Sequence, residues 1–177
     1  MRVEGKLALC RVATYEGEAN VRISNDFRIM SKDEQYALVL EQVKALLEGE
    51  TDVIANMANV SALIHAAFHF WWTGFYRVIG NELVLGPFQG PLACTRIGEG
   101  KGVCGTARQQ KRTIVVPDVE LFPGHIACSS ASRSEIVVPL YDENGQVTAV
   151  LDIDSEHLAT FDDVDVHWLE QVAALFK

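Results

Sequence analysis

The spacing of apolar residues predicts two helices in the first part of the chain. After Ser31, apolar side chains recur every three to four positions until Gly49, where a helix would end. Ser31 and Glu34 have the spacing of a capping box, in which each side chain accepts a hydrogen bond from the other residue's backbone. Asp52 is placed to cap a second helix. Because this second helix is apolar over a wide arc as far as Phe68, we expect it to pack on a sheet.

Shorter segments with period-two alternation or dense β-branched and aromatic residues follow, and they predict strands. A hairpin turn is indicated by Asn144-Gly145. A short helix is expected over 103–109, and an amphipathic helix over 166–176 follows an acidic turn at 162–165. This order of elements indicates an antiparallel sheet with helices packed on it, an α+β domain. The predicted strands are 70–79, 82–88, 93–97, 112–116, 134–140 and 146–154.

Residues 1–29 have no sustained period of either kind. We interpret them as an N-terminal extension that is a non-native leader, with Met30 as the natural start. The predicted domain is 30–177, a length that suits one domain with a substantial core.

Composition narrows the function classes. The chain is 49% hydrophobic and 22% charged, as in ordinary soluble globular proteins. Its 15 basic and 24 acidic residues give a net charge of −9, which argues against a nucleic-acid partner. No apolar run reaches the ~18–20 residues of a membrane span, and the start lacks the features of a signal peptide. We therefore expect a cytoplasmic protein without a membrane partner, in which several cysteines indicate metal or redox chemistry more often than structural disulfides.

Three cysteines, Cys94, Cys104 and Cys128, fall within one stretch of the chain, 10 and 24 positions apart. No pair has the C-x-x-C spacing of a zinc knuckle or a thioredoxin-like motif. His65 and His69 lie four residues apart on a helix, but the glutamate of the H-E-x-x-H motif is absent, so we assign them no metal. From spacing alone, the cysteines are either packing residues or thiols that meet only in the folded protein.

Aromatic and acidic residues add a second set of candidates. Alternation places Trp72 and Tyr76 on one face of their strand, either as a core stack or as an aromatic wall for a small ligand. Asp152 and Asp154 share one face at the end of an apolar strand, and Glu135 begins its neighbour. Buried carboxylates need a cation or a donor to offset desolvation. Acids, aromatics and thiols together suit a small ligand with an ammonium group and an apolar tail, with metal binding as the competing use.

With these residues the chain resembles the GAF domain family and, within it, the free methionine-(R)-sulfoxide reductases. The Leu-Asp-Ile-Asp sequence is common to many GAF domains, whereas the three cysteines and the Gly-His-Ile-Ala-Cys and Trp-x-Gly-Phe-Tyr sequences are more specific. The resemblance runs through most of residues 31–177. Its segments are Trp72-Thr-Gly-Phe-Tyr76, Leu83-Val-Leu-Gly-Pro-Phe-Gln-Gly90, Ala93-Cys94, Gly102-Val-Cys-Gly-Thr106, Asp118-Val119, Gly124-His-Ile-Ala-Cys128, Ser134-Glu-Ile-Val-Val-Pro-Leu140 and Val150-Leu-Asp-Ile-Asp-Ser155.

This resemblance implies a GAF fold, with about six antiparallel strands and helices on both sides, usually in a homodimer. It implies reduction of free L-methionine (R)-S-oxide to L-methionine through a cysteine sulfenic acid and a disulfide. Cys128 would be the nucleophile and Cys94 the resolving thiol, with thioredoxin as the reductant and no other cofactor. Cys104 would be an alternative resolving thiol or a relay, and the order of attack by Cys104 and Cys128 stays open.

The same resemblance assigns the remaining candidates to substrate binding. Glu135, Asp152 and Asp154 would hold the ammonium group and place a proton donor at the sulfoxide oxygen. Trp72 and Tyr76 would form the pocket for the S-methyl group. The alternative is a GAF module that binds a cyclic nucleotide or a metabolite without catalysis.

Overall fold

The computed structural model describes residue 27 and residues 29–126 and 129–176. Within these residues, two helices precede a succession of strands and shorter helices. A 3-10 turn at Val119–Leu121 lies in the long connection before the last two strands. The elements are α1 (Lys32–Leu47), α2 (Val53–Phe68), β1 (Trp72–Ile79), β2 (Glu82–Gln89), β3 (Arg96–Gly98), α3 (Gly102–Gln110), β4 (Ile114–Val116), β5 (Ser134–Tyr141), β6 (Val147–Ser155) and α4 (Asp163–Ala173).

The caps predicted for the first two helices are confirmed. Ser31 and Glu34 form both hydrogen bonds of a capping box at the start of α1. At the start of α2, Asp52 Oδ1 accepts a hydrogen bond from the Ala55 backbone N–H at 2.8 Å. These local bonds satisfy backbone donors that helix geometry leaves free, which explains why both starts could be predicted from neighbouring residues alone.

The bounds predicted for the last helix are wrong. α4 covers Asp163–Ala173 rather than 166–176, so the acidic segment is its first turn and not a separate one. The cause is Asp162, whose side chain accepts hydrogen bonds from the backbone of Val164 and Asp165 and so caps the helix three residues earlier. Acidic side chains in a first turn also interact favourably with the helix dipole.

The strands form one sheet in the order β3-β2-β1-β6-β5-β4, and every neighbouring pair is antiparallel. This confirms the predicted six-stranded antiparallel sheet. Three strands are shorter than predicted, since β1 begins at Trp72 instead of residue 70 and β3 and β4 have three residues each. Before β3, the Cys94 carbonyl accepts a hydrogen bond from the Tyr76 hydroxyl at 3.0 Å instead of joining the ladder. Cys94 therefore lies in an irregular segment and not in a strand.

Helices cover both sides of the sheet, as predicted for this α+β fold. On one side, α1, α2 and α4 pack on alternate strand residues such as Phe75 and Leu151. On the other side, α3 packs on the intervening residues, among them Trp72, Tyr76 and Val150. The period of two along each strand thus separates a large apolar core from a second layer.

The core also includes Phe27, which precedes the predicted start of the domain. The centroid of its ring lies 6.1 Å from the centroid of the Phe68 ring, and its backbone carbonyl accepts a hydrogen bond from the Gln35 side chain at 2.7 Å. The prediction of a leader over residues 1–29 otherwise falls on residues outside the described part, and it stays a prediction. Among the described helices, none combines the length and apolar character needed to cross a membrane.

Candidate functional site

A pocket opens on the α3 side of the sheet, where the last residues of β6 meet the first residues of β1 and β5. Besides strand and helix residues, Leu92 and Ala93 before β3 and His125 and Ile126 after the 3-10 turn form its walls. The cavity is small, about 40 Å³. The structure brings six of the predicted site residues into its lining: Trp72, Tyr76, Cys104, Glu135, Asp152 and Asp154.

Strand register explains how residues far apart in the chain meet here. Asp154 pairs with Trp72 of β1 on one side and with Glu135 of β5 on the other. Two residues along β6, Asp152 pairs with Gly74 of β1. Since Asp152 and Asp154 share a face of β6, all three acids and the aromatic pair face the same pocket.

The aromatic wall is fixed by stacking and by hydrogen bonds. The rings of Trp72 and Tyr76 stack with centroids 5.9 Å apart, and Phe88 stacks on the other side of Trp72 at 5.3 Å. The Trp72 indole N–H donates to the Pro91 carbonyl at 3.1 Å. Trp72 and Tyr76 therefore belong to the second core layer and also line the pocket, so their role as a wall for a ligand stays a prediction.

The three acids differ in burial and therefore in charge. Burial, followed by the neighbouring carboxylates, raises the pKa of Glu135 well above its ordinary value, and the pKa of Asp152 rises in the same way. Asp154 is half-buried, and burial raises its pKa to about 6 against the opposing effect of a hydrogen bond with Ser132. Burial therefore disfavours ionisation more strongly at Glu135 and Asp152 than at Asp154, whose carboxyl is ionised at neutral pH.

Among the pocket residues that received no role in the sequence analysis, His125 and Ser132 contact the acids. His125 places Nε2 3.8 Å from Glu135 Oε2, and burial lowers the pKa of its imidazole. The raised pKa of Glu135 and the lowered pKa of His125 both disfavour an ion pair at this contact. Ser132 lines the pocket beside Asp154. His125 falls within the Gly124–Cys128 motif, which was a usable signal, whereas nothing in the pattern around Ser132 marks it.

The segment that carries the third cysteine is anchored to β1. Trp71, the residue before β1, donates its indole N–H to Ser129 Oγ at 3.2 Å. Ser129 is the residue directly after Cys128 in the sequence, and it lines the pocket. Cys128 itself, the predicted nucleophile, lies outside the described residues.

The cysteines differ in redox state. Cys94 is disulfide-bonded, whereas the Cys104 thiol is free and buried. Burial, assisted by the negative charges of Asp152 and Glu135, raises the pKa of the Cys104 thiol well above its ordinary value.

Chemically, this arrangement combines a disulfide, carboxyls whose protonated form is favoured by burial, and an aromatic wall around a small cavity. Such a set can hold a small cation with an apolar group and can donate a proton to it. Cys104, Glu135 and Asp152 also offer metal-ligand atoms that lie within 4.8 Å of one another.

Comparison with known proteins identifies the family. The GAF domain model matches residues 32–176. GAF domain-containing protein A of Dictyostelium discoideum is 58% identical over 146 residues, which cover 82% of this chain and 92% of that protein. The free methionine-R-sulfoxide reductase of Escherichia coli (strain K12) is 47% identical over 146 residues, covering 82% of this chain and 88% of that protein.

The fold comparison agrees. An X-ray structure of free methionine-R-sulfoxide reductase from Neisseria meningitidis in complex with its substrate superimposes with a TM-score of 0.81 at 52% sequence identity, covering 83% of this chain and 89% of that one. The chain belongs to the GAF domain family and, within it, to the free methionine-(R)-sulfoxide reductase family.

Proposed function

We propose that this protein reduces free methionine-(R)-sulfoxide to methionine, with Cys128 as the nucleophile and Cys94 as the resolving thiol. The observation that carries the proposal is the disulfide-bonded Cys94 next to a pocket lined by acids and aromatic rings. Cys94 adjoins this pocket through Ala93, which lines it, and through the hydrogen bond from Tyr76. The substrate named for the Escherichia coli and Neisseria meningitidis relatives fits the same chemistry.

Substrate binding divides between charge and apolar contact. Asp154, which is ionised at neutral pH, receives the ammonium group of the amino acid. Trp72 and Tyr76 contact the S-methyl group and the side-chain methylenes. A free amino acid brings its ammonium group directly to Asp154, whereas a residue within a peptide has an amide there.

The reaction proceeds in balanced steps. The Cys128 thiolate attacks the sulfoxide sulfur, and the oxygen takes a proton from Glu135 or Asp152, two carboxyls whose protonated form is favoured by burial. Methionine leaves, and the oxygen is transferred to Cys128 as a sulfenic acid. The Cys94 thiol attacks this sulfenic acid, forming a disulfide and releasing water. Thioredoxin reduces the disulfide by thiol–disulfide exchange and restores both thiols.

The environment of Cys104 supports Cys128 as the attacking residue. The thiolate is the nucleophile, and burial beside two carboxyls disfavours it at Cys104. That Cys94 is already disulfide-bonded while Cys104 is free supports Cys94 as the resolving thiol.

We further propose that the protein acts as a cytoplasmic homodimer. Sedimentation analysis of the purified protein would test the dimer.

The first prediction concerns epimer selectivity and the order of the thiols. With thioredoxin recycling, we expect turnover of the free R epimer and at least a hundredfold lower turnover of the S epimer, since only one epimer presents its oxygen to the carboxyls. Cys128→Ser should be inactive because no sulfenic acid can form. Cys94→Ser should accumulate a sulfenic acid that dimedone labels, whereas the matched variant Cys104→Ser should still lose two thiols when substrate is added without reductant.

Two outcomes would refute the proposal. One is a wild-type protein that does not consume the free R epimer. The other is a Cys128→Ser variant with full turnover, which would move the first attack to another thiol. Dimedone labelling followed by peptide mass mapping identifies the attacking cysteine directly.

A further inference from the structure

One buried group of side chains contains a thiol that the proposed reaction does not use. Cys104 of α3, Glu135 of β5 and Asp152 of β6 place a thiol and two carboxylate oxygens within 4.8 Å of one another. All three residues are more than nine-tenths buried. The thiol takes part in none of the proposed catalytic steps, although it lies at the bottom of the same pocket.

A second observation points to a ligand at this group. Asp152 is 6% exposed and lines the pocket, yet its Oδ1 is buried without a hydrogen-bond partner among the residues that the structure describes. A buried oxygen without a partner costs about 1–3 kcal/mol or more, so such atoms call for an explanation. A bound cation would supply what this oxygen lacks.

His125 adds a fourth donor of a different type. Its Nε2 lies 3.8 Å from Glu135 Oε2, and its side chain reaches the pocket from the opposite wall. A thiolate, two carboxylates and an imidazole are all ligand types that Zn²⁺ accepts in tetrahedral sites. With Zn–ligand bonds of about 2.0–2.3 Å, tetrahedral ligand atoms are roughly 3.3–3.7 Å apart, so small side-chain rotations would suffice.

We propose that Cys104, Glu135, Asp152 and His125 form a binding site for a zinc-like divalent cation. The free Cys104 thiol keeps this site available when Cys94 is disulfide-bonded. Metal binding replaces the protons on the thiol and the carboxyls, so affinity should increase with pH. A divalent cation also reduces the net charge of the thiolate and the two carboxylates from −3 to −1.

The site has a consequence for catalysis, and this part rests on the proposed function. Glu135 and Asp152 are shared between the cation and the substrate, so the two should exclude each other. Zn²⁺ should therefore raise the KM for free methionine-(R)-sulfoxide without changing kcat when substrate is saturating. Direct binding of the metal requires no activity at all.

The test uses the full chain in its disulfide form, freed of metal by a chelator, with Co²⁺ as a spectroscopic probe. We expect a thiolate-to-cobalt charge-transfer band and tetrahedral d–d bands that saturate at a single equivalent per chain, and Zn²⁺ should displace them. Cys104→Ser should lose the charge-transfer band, and Asp152→Asn should weaken binding about tenfold or more. The exposed control Glu156→Gln should bind like the wild type.

The outcomes are distinct. Absence of the charge-transfer band in the wild type would overturn the site, and so would a band that persists in Cys104→Ser, since the thiolate would then belong to another cysteine. If circular dichroism finds Cys104→Ser unfolded, unweakened binding by Asp152→Asn overturns the site on its own. A protein that binds Co²⁺ through Cys104 but does not reduce the R epimer supports the metal site and refutes the proposed function.

Discussion

Asp154 combines a proposed role in substrate binding with a cost to folding. Its carboxyl is half-buried at the end of β6, and burial raises its pKa from an ordinary 3.8 to about 6. Well below pH 3.8 the carboxyl is protonated in both the folded and the unfolded chain, so it costs no stability. As the pH rises toward 6, the unfolded chain releases the proton first, so stability falls, and above about pH 6 the full cost is present.

Replacing this carboxyl by an uncharged group of the same shape should therefore stabilise the protein. The rise in pKa corresponds to about 3 kcal/mol, so we expect Asp154→Asn to raise the free energy of unfolding by about 2–3 kcal/mol at pH 8 and by only about 0.5 kcal/mol at pH 4. The same variant should raise the KM for the free sulfoxide, because the ammonium group loses its partner. Urea unfolding of the disulfide form at both pH values measures the first effect.

Glu156→Gln is the matched control, since Glu156 follows β6 but is exposed. It should change neither stability nor KM. An Asp154→Asn variant whose free energy of unfolding increases as much at pH 4 as at pH 8 would show that ionisation of Asp154 is not what destabilises the wild type.

At the scale of elements, the packing of the aromatic wall between β1 and β2 depends on one glycine of β1. Gly74 lies between Trp72 and Tyr76 on the same face of β1. A Cβ at this position would come within 2.4 Å of Phe88 Cβ and 2.5 Å of Trp72 Cη2. The stack of Phe88 on Trp72 therefore depends on the absence of a side chain at Gly74.

Gly74→Ala should push the two strands and the indole apart. We expect a loss of about 1–3 kcal/mol in the free energy of unfolding, the usual cost of overpacking, together with altered near-ultraviolet circular dichroism and a higher KM. Gly98→Ala is the control in the same sheet, because its Cβ would meet Lys101 Cγ at an ordinary 3.4 Å. Equal effects from the two substitutions would contradict the steric argument.

At the scale of the whole molecule, the structural features that could be predicted from the sequence are those set by residues close together along the chain. The shared face of Asp152 and Asp154 follows from the period of a strand, and the start of α1 follows from a capping box, so both were predicted correctly. The pairing of Trp72 with Asp154 joins strands that are far apart in the chain, so it depends on the order of strands in the sheet, which no local pattern encodes. Ser132 comes from an irregular segment without any period.

On the side of the sheet opposite the pocket lies a buried polar group. A substitution there can show whether stability changes without a change in activity. Asp165 in α4 is fully buried, and its Oδ1 accepts a hydrogen bond from the Tyr36 hydroxyl of α1 at 2.8 Å. Its other oxygen contacts Lys32 Nζ and accepts from the Asp162 backbone N–H at 2.7 Å. This cluster joins α1 to α4 on the face opposite the pocket.

Tyr36→Phe would leave Asp165 Oδ1 buried without its donor, so we expect a loss of about 1–3 kcal/mol in the free energy of unfolding. Because Tyr36 packs in the core layer on the opposite side of the sheet from the pocket, kcat and KM at 25 °C should stay unchanged. Tyr141→Phe is the control, since the Tyr141 hydroxyl donates to the Lys111 carbonyl in an exposed position, and it should cost less than about 0.5 kcal/mol. A Tyr36→Phe variant that is folded but has an altered KM would mean that the two faces of the sheet are coupled, so that the packing of α1 on α4 contributes to the shape of the pocket.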